Sequence, residues 1–152
     1  MISIDQSLGK CAWTLWEDGK PINSGIFKSG NSKVKNRIDT VTYFDTLEEQ
    51  IHYLCDCIYK LVCQTGADKM VFEALSFASI GNATRDLAQL FGAIIERLIS
   101  CAGICVEDIY KVAPTSLKSF ARELLPEDER FDGKLSTGKP KKVKMDKKLM
   151  VK

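Results

Sequence analysis

The stretch KMVFEALSFASIGNATR, residues 69–85, decides the fold of this chain. Residues 70–72 are an apolar run of the kind found in strands buried on both faces. Glu73 follows the run directly, residues 81–82 (Gly-Asn) are a turn pair, and a helix pattern continues over residues 83–99. A carboxylate at the end of a buried strand is costly unless it meets a cation or hydrogen-bond donors. Ligand sites often lie at the strand ends of open α/β sheets. Glu73 is therefore either part of such a site or hydrogen-bonded to nearby backbone.

A second acid lies in a like position at the start of the chain. Residues 2–5 (ISID) predict a first strand that ends on Asp5. Residues 11–16 alternate as a second strand should, and Asp18-Gly19 is a strong hairpin signal. The chain then returns as a third strand over residues 20–27. Three antiparallel strands are thus expected to open the fold.

The remaining pattern predicts helices alternating with strands. Thr46 and Glu49 form a capping box for a helix that reaches about Cys63, with His52, the only histidine, just off its apolar stripe. Residues 104–112 predict a fifth strand, and residues 113–124 predict a short helix with proline in its first turn. The expected fold is therefore α/β, a mixed five-stranded sheet with helices on both faces.

Two polar stretches lack any such pattern. Residues 28–41 predict a mobile loop, and residues 126–144 predict a flexible basic loop. A chain of 152 residues is one domain's worth, so we expect a single domain over 1–152.

Composition excludes several classes of protein. Hydrophobic residues make up 45% of the chain, so it is globular, and no apolar run approaches the roughly 18 residues of a membrane span. No signal peptide is visible. The six cysteines include no Cys-x-x-Cys pair, which favours buried, reduced thiols in a cytoplasmic protein of a bacterium or phage-infected host.

Charge is unevenly distributed along the chain. Residues 134–152 carry eight lysines and one acid, a net charge of +7, whereas the preceding residues carry 14 basic and 19 acidic groups, a net charge of −5. A basic tail on an acidic body is expected of a protein that contacts phosphate backbones, and also of a simple solubilising tail.

The two strand-end acids predict a metal site. A helix crossover can place the strand at residues 70–73 beside the first strand, so Asp5 and Glu73 would lie at neighbouring strand ends. Two carboxylates at such a short distance repel one another unless cations neutralise them. Oxygen ligands favour Mg²⁺ or Mn²⁺, and a pair of such ions supports phosphodiester hydrolysis.

Four motifs in order resemble RuvC-type Holliday junction resolvases, particularly their phage branch. They are IDQSL at 4–8, FEALSF at 72–77 leading to GNA at 81–83, VAPTSLK at 112–118 and DKKLM at 146–150. The resemblance covers residues 2 to 150. It implies an RNase H-like fold, a homodimer and Mg²⁺-dependent nicking of four-way DNA junctions.

The resemblance also assigns roles to residues. It implies metal-ligand roles for Asp5 and Glu73, basic catalytic roles for Lys118 and Lys147, and base stacking for Phe77. Together with the basic tail, it gives a predicted set of DNA-binding residues: Phe77, Asn82, Arg85, Lys118, Lys141, Lys142, Lys144 and Lys147.

The match departs from the family pattern at the carboxyl end. In the family, the remaining metal ligands come from an Asp-x-x-Asp-Ala-type segment that follows the Asp-Lys-x-x-Met motif. The sequence ends at Lys152, before such a segment, so we expect an incomplete C-terminal end or a substitute ligand in Asp146. Lys144, Lys147 and Lys148 flank Asp146, which suits a helix cap in a phosphate-binding surface better.

The helix at 83–99 carries a second line of small and apolar residues beside its main stripe. The line consists of Ala88, Gly92, Ile95 and Ile99. Gly92 inside a helix costs ~1 kcal/mol relative to Ala, which close approach of another backbone would explain. The line therefore predicts either a homodimer contact through this helix or simple burial of a central helix.

Three functional classes follow. The first is a metal-dependent endonuclease for four-way and other branched DNA junctions. The second is a branched-DNA-binding module with a degraded or incomplete site, and another RNase H-like nuclease is a near rival of the first. The third, an actin- or sugar-kinase-like ATPase, needs two lobes and glycine-rich phosphate loops that 152 residues do not supply.

Overall fold

The computed structural model describes residues 1–75, 81–123, 130–134, 137 and 140–142. Contacts divide the chain into two compact units, Met1–Lys111 and Val112–Lys152. That the two units form the single domain expected from length stays a prediction.

The first unit is built on a sheet of six strands. Their order across the sheet is β4-β3-β2-β1-β5-β6. The strands are β1 (Ile2–Asp5), β2 (Lys10–Glu17), β3 (Lys20–Asn31), β4 (Thr42–Phe44), β5 (Met70–Glu73) and β6 (Ile109–Val112), the last of which crosses the boundary between the units. The helices of this unit are α1 (Leu47–Thr65), α2 (Asn82–Ala102) and a 3-10 turn (Val106–Asp108).

The described residues of the second unit form one helix and a strand pair. The helix α3 spans Pro114–Glu123, and β7 (Phe131–Lys134) pairs antiparallel with β8 (Pro140–Lys142). Regular structure is therefore present in the stretch 126–144, where none was expected. Its predicted flexibility stays a prediction.

Strand β1 lies at the centre of the sheet and of the core. It pairs antiparallel with β2 and parallel with β5. Alternate residues of the two parallel strands, Ile2, Ile4, Met70 and Phe72, are buried in one hydrophobic cluster that α1 and α2 complete. The ring of Phe91 on α2 packs edge-on against Phe72, with ring centroids 5.5 Å apart. Both long helices thus pack on the face of the sheet that carries these residues.

The local signals in the sequence are confirmed. Asp18 and Gly19 have φ of 49° and 74°, as the hairpin turn requires. Thr46 and Glu49 form the predicted capping box at the start of α1. Gly66, with φ of 64°, ends the helix in the left-handed conformation that glycine adopts without strain.

The fold class is confirmed, and the sheet has one strand more than predicted. The prediction of a loop over 28–41 is wrong at its start, because β3 continues to Asn31 and pairs parallel with β4, which was not predicted. Gly30 makes this pairing close, since an added Cβ would lie 3.0 Å from the Tyr43 ring. The fifth predicted strand begins only at Ile109, after the 3-10 turn. Helices on the second face of the sheet stay a prediction.

The six cysteines are free thiols. Cys11 and Cys55 are buried, as expected, but Cys63, Cys101 and Cys105 are exposed, so the prediction of buried thiols is wrong for those three. None of the helices in the described ranges is long and apolar enough to cross a membrane.

Candidate active site

Asp5 and Glu73 occupy matching positions at the ends of adjacent parallel strands. The register pairs Ile4 with Phe72, which makes Asp5 and Glu73 the next pair along. Side chains alternate between the faces of a sheet, so both acids lie on the face opposite to the buried Ile4 and Phe72. Asp5 is exposed and Glu73 is half-buried. The structure thus places these two acids together, as the predicted topology requires.

Gln6 connects the two strand ends. Its side chain is buried, with 6% exposed, and its Nε2 donates a hydrogen bond of 2.5 Å to the backbone carbonyl of Glu73. Its Oε1 is buried as well and has no hydrogen-bond partner among the described residues. Gln6 is not among the site residues predicted from the sequence. The available signal was its position, because residues 2, 4 and 6 lie on one face and a polar side chain at the third position breaks an apolar alternation.

A buried polar cluster fixes the segment that follows Asp5. The buried polar residues in the described part of the chain are Gln6, Ser29 and Gln50. Gln50 Nε2 donates to the Leu8 carbonyl at 2.9 Å and to Ser29 Oγ at 3.0 Å, and the Ser29 hydroxyl also donates to the Leu8 carbonyl. Because a buried polar group left unpaired costs about 1–3 kcal/mol, these bonds hold the segment in one conformation.

The thiol of Cys11 lies on the buried side of the same strand ends. Burial raises the pKa of Cys11 to about 12; the charge of Asp5 adds to the rise, and a hydrogen bond with the Ser7 backbone opposes it. The thiol is therefore protonated at neutral pH, which argues against Cys11 as a thiolate nucleophile.

The carboxylates supply part of a ligand set for a hard cation. Carboxylate oxygens are ligands that Mg²⁺ and Mn²⁺ prefer, and Mg²⁺ usually keeps several waters. Within the described residues, no group of three or more His, Cys, Asp or Glu side chains is placed to hold a metal ion. The pair fits a site completed by water or by further ligands, and metal binding stays a prediction. Asp146 lies outside the described residues.

The structure describes some of the other predicted site residues. Asn82 and Arg85 lie exposed in the first turn of α2, where Arg85 Nε is 3.6 Å from Asp86 Oδ1. Lys118 is exposed on α3, in the second unit. Lys142 is exposed at the end of β8. Their predicted roles in DNA binding stay predictions.

For the other predicted DNA-binding residues, the structure describes no side chain. Lys141 belongs to β8, but its side chain is not described. Phe77, Lys144 and Lys147 lie outside the described residues altogether.

The second line on α2 faces solvent. Ala88, Gly92 and Ile99 are exposed, and Ile95 is half-buried. Outside the backbone of α2 itself, no described residue has an atom within 4 Å of a Cβ added to Gly92. Burial inside this chain, one of the two predicted explanations for the line, is therefore wrong for Ala88, Gly92 and Ile99, whereas Ile95 packs partly against the core. The homodimer contact stays a prediction.

Comparison with known proteins supports the fold. No family model matches the chain, and no curated protein matches it. Among solved structures, Thermus thermophilus RuvC in complex with a Holliday junction substrate is similar with a TM-score of 0.59 and 12% identity, over 82% of this chain and 71% of that chain. A second Thermus thermophilus RuvC structure gives a TM-score of 0.55 and 11% identity, over 84% of this chain and 74% of that one. Identities this low support the fold alone, and the chain accordingly has a RuvC-like, RNase H-like fold.

Proposed function

We propose that this protein is a metal-dependent, structure-selective DNA endonuclease that cleaves four-way and other branched DNA junctions. The observation that carries the proposal is the matched position of Asp5 and Glu73 at neighbouring parallel strand ends in a RuvC-like fold. The similar RuvC was solved with a Holliday junction substrate, which favours branched DNA over other phosphodiesters.

The chain's own residues supply binding and orientation. Asp5 and Glu73 would hold Mg²⁺ or Mn²⁺, and the exposure of Asp5 leaves it open to a phosphate that lies across the strand ends. Gln6 holds the Glu73 backbone against the end of β1, so the spacing of the two acids is preorganised. Bound metal would activate a water and stabilise charge at the scissile phosphate. Lys118 and Lys147 are proposed as basic catalytic residues, as the resemblance implies.

Pairing of two copies through α2 would suit this substrate. A four-way junction offers two symmetry-related strands, and a closed two-fold dimer presents two identical sites. The exposed line of Ala88, Gly92, Ile95 and Ile99 is the proposed contact.

A second candidate function is branched-DNA binding without cleavage. It is favoured by the ligand count, since the described residues bring two carboxylates together without a third His, Cys, Asp or Glu side chain. Another RNase H-like nuclease, acting on a different nucleic acid, is the remaining alternative.

One assay separates these functions. Labelled four-way junction, matched linear duplex and RNA–DNA hybrid are incubated with wild-type protein and with Asp5→Asn in Mg²⁺ or Mn²⁺. We expect the wild type to nick the junction and Asp5→Asn to leave it intact. Junction binding without nicking supports the binding module, and preferential cleavage of the hybrid supports another RNase H-like nuclease. A protein that neither binds nor cleaves any of these substrates would contradict all three functions.

A further inference from the structure

We propose that Lys10 and Lys28 form a phosphate-contacting lysine pair, beside the candidate active site, that binds the backbone of a DNA arm. The inference rests on the proposed function, and it names a part of the DNA surface that lies outside the basic tail and α3.

Strand register places the lysine pair on the same face as the carboxylates. Asp5 is opposite Ala12 on β2, and Lys10 is opposite Lys28 on β3. Lys10 is two residues from Ala12, so its side chain lies on the same face of the sheet as that of Asp5. Directly opposite residues share a face, which places Lys28 there as well.

The spacing suits one strand of DNA that passes over the site. With neighbouring strands about 4.8 Å apart and a rise of about 3.4 Å per residue, the Cα atoms of Lys10 and Lys28 lie roughly 8 Å and 12 Å from that of Asp5. One strand of duplex DNA rises about 3.4 Å per nucleotide. The pair therefore lies within a few nucleotides of the carboxylates along such a strand.

Neither lysine has a negative partner in the described part of the chain. No salt bridge there includes Lys10 or Lys28, and Lys28 Nζ lies 3.5 Å from the neutral hydroxyl of Thr40. Like charges directly opposite one another destabilise a sheet, so the arrangement costs stability unless an anion lies across both.

The far end of the same hairpin provides the contrast. There Lys20 is opposite Glu17, so the charges on the two strands balance. The unbalanced lysines are found only at the hairpin end that adjoins Asp5. Beyond β3 at this end, the exposed Lys33 and Lys35 add positive charge. This position favours a role in binding over one in general solubility.

Salt dependence of junction binding tests the proposal. The Lys10→Gln/Lys28→Gln variant is compared with wild type and with Lys20→Gln/Lys69→Gln, which removes two exposed lysines at the opposite end of the sheet. Two lost phosphate contacts should make the slope of log K against log salt shallower by about two, because each contact contributes about 0.9. The control variant should keep the wild-type slope.

Thermal unfolding supplies the second readout. The Lys10→Gln/Lys28→Gln protein should unfold no earlier than wild type, since removing opposed like charges does not harm the sheet. An unchanged slope in Lys10→Gln/Lys28→Gln, or an equal decrease in slope in both double variants, would contradict the proposed role of the lysine pair. Either result would leave the proposed function in place. Failure of the wild type to bind branched DNA would overturn the proposed function and the lysine pair together.

Discussion

At the scale of single residues, the strand-end acids were predictable, whereas the bonding partner of the glutamine that joins them was not. Asp5 and Glu73 follow apolar runs, so the chain itself marks them as polar groups at the end of a buried strand. Gln6 acts through a bond to a backbone carbonyl of a strand far away in sequence, and one sequence contains no sign of that partner. Residues that break a local pattern can be found from sequence, whereas the distant backbone groups to which they bond cannot.

Replacing Gln6 should weaken the fold near the site. In Gln6→Met the Glu73 carbonyl loses its side-chain donor in a buried setting, so the free energy of unfolding should fall by about 1–3 kcal/mol. Urea unfolding measures the change, and Gln64→Met, at an exposed position of α1, is the control. If Gln6→Met is as stable as wild type, the hydrogen bond to Glu73 does not contribute to the fold.

Cys11 should make stability fall at alkaline pH. Burial raises its folded-state pKa from 9.0 to about 12, so its contribution is complete below pH 9 and is lost as the pH rises from about 9 to about 12. The expected loss is about 1.4 kcal/mol per pH unit within that window.

Unfolding of wild type and Cys11→Ala at a series of pH values checks this. Cys55, whose pKa burial raises to about 11, contributes to the fall in both proteins, so the difference between the two curves isolates Cys11. Parallel curves above pH 9 would show that Cys11 is not buried as a protonated thiol.

At the scale of elements, signals within one helix or turn were reliable and pairings between distant segments were not. The capping box and the hairpin turn depend on a few adjacent residues, and both are present as predicted. Strand β4 was missed because it is short, lies after a polar stretch, and is defined by parallel pairing that brings Tyr43 against Gly30. Only the folded sheet brings those two residues together.

The proposed homodimer contact along the exposed line on α2 can be tested by substitution. In Gly92→Glu, a charge is introduced where a second helix is proposed to pack, and it would be buried without a partner. The variant should sediment as a monomer and remain folded, because no described residue outside the helix's own backbone lies within 4 Å of that Cβ.

Ala83→Glu is the matched control for Gly92→Glu. Ala83 is also exposed on α2, and helical spacing places it on the opposite side from Gly92. The Ala83→Glu substitution should leave the dimer intact. A wild-type protein that is already monomeric at micromolar concentration, or a Gly92→Glu dimer, would show that the line is not an interface.

At the scale of the whole molecule, topology is what brings chemistry to one place. The order of strands and helices was enough to predict that β1 and β5 lie side by side, and the register confirms it. The division into two units was not predicted, because no change in composition marks Lys111–Val112. The lysine pair was also missed, since Lys10 and Lys28 become neighbours only through the β2–β3 register.

Binding of Mn²⁺, followed by EPR, tests most directly whether Asp5 and Glu73 form one metal site. Wild type is titrated beside Asp5→Asn, Glu73→Gln, the double variant and Asp68→Asn, an exposed acid at the opposite end of the sheet. Each single variant should bind Mn²⁺ at least about tenfold more weakly, and the double variant should add little, because residues of one site do not act independently. Asp68→Asn should bind as wild type does. Wild-type Mn²⁺ affinity in either Asp5→Asn or Glu73→Gln would contradict the shared site.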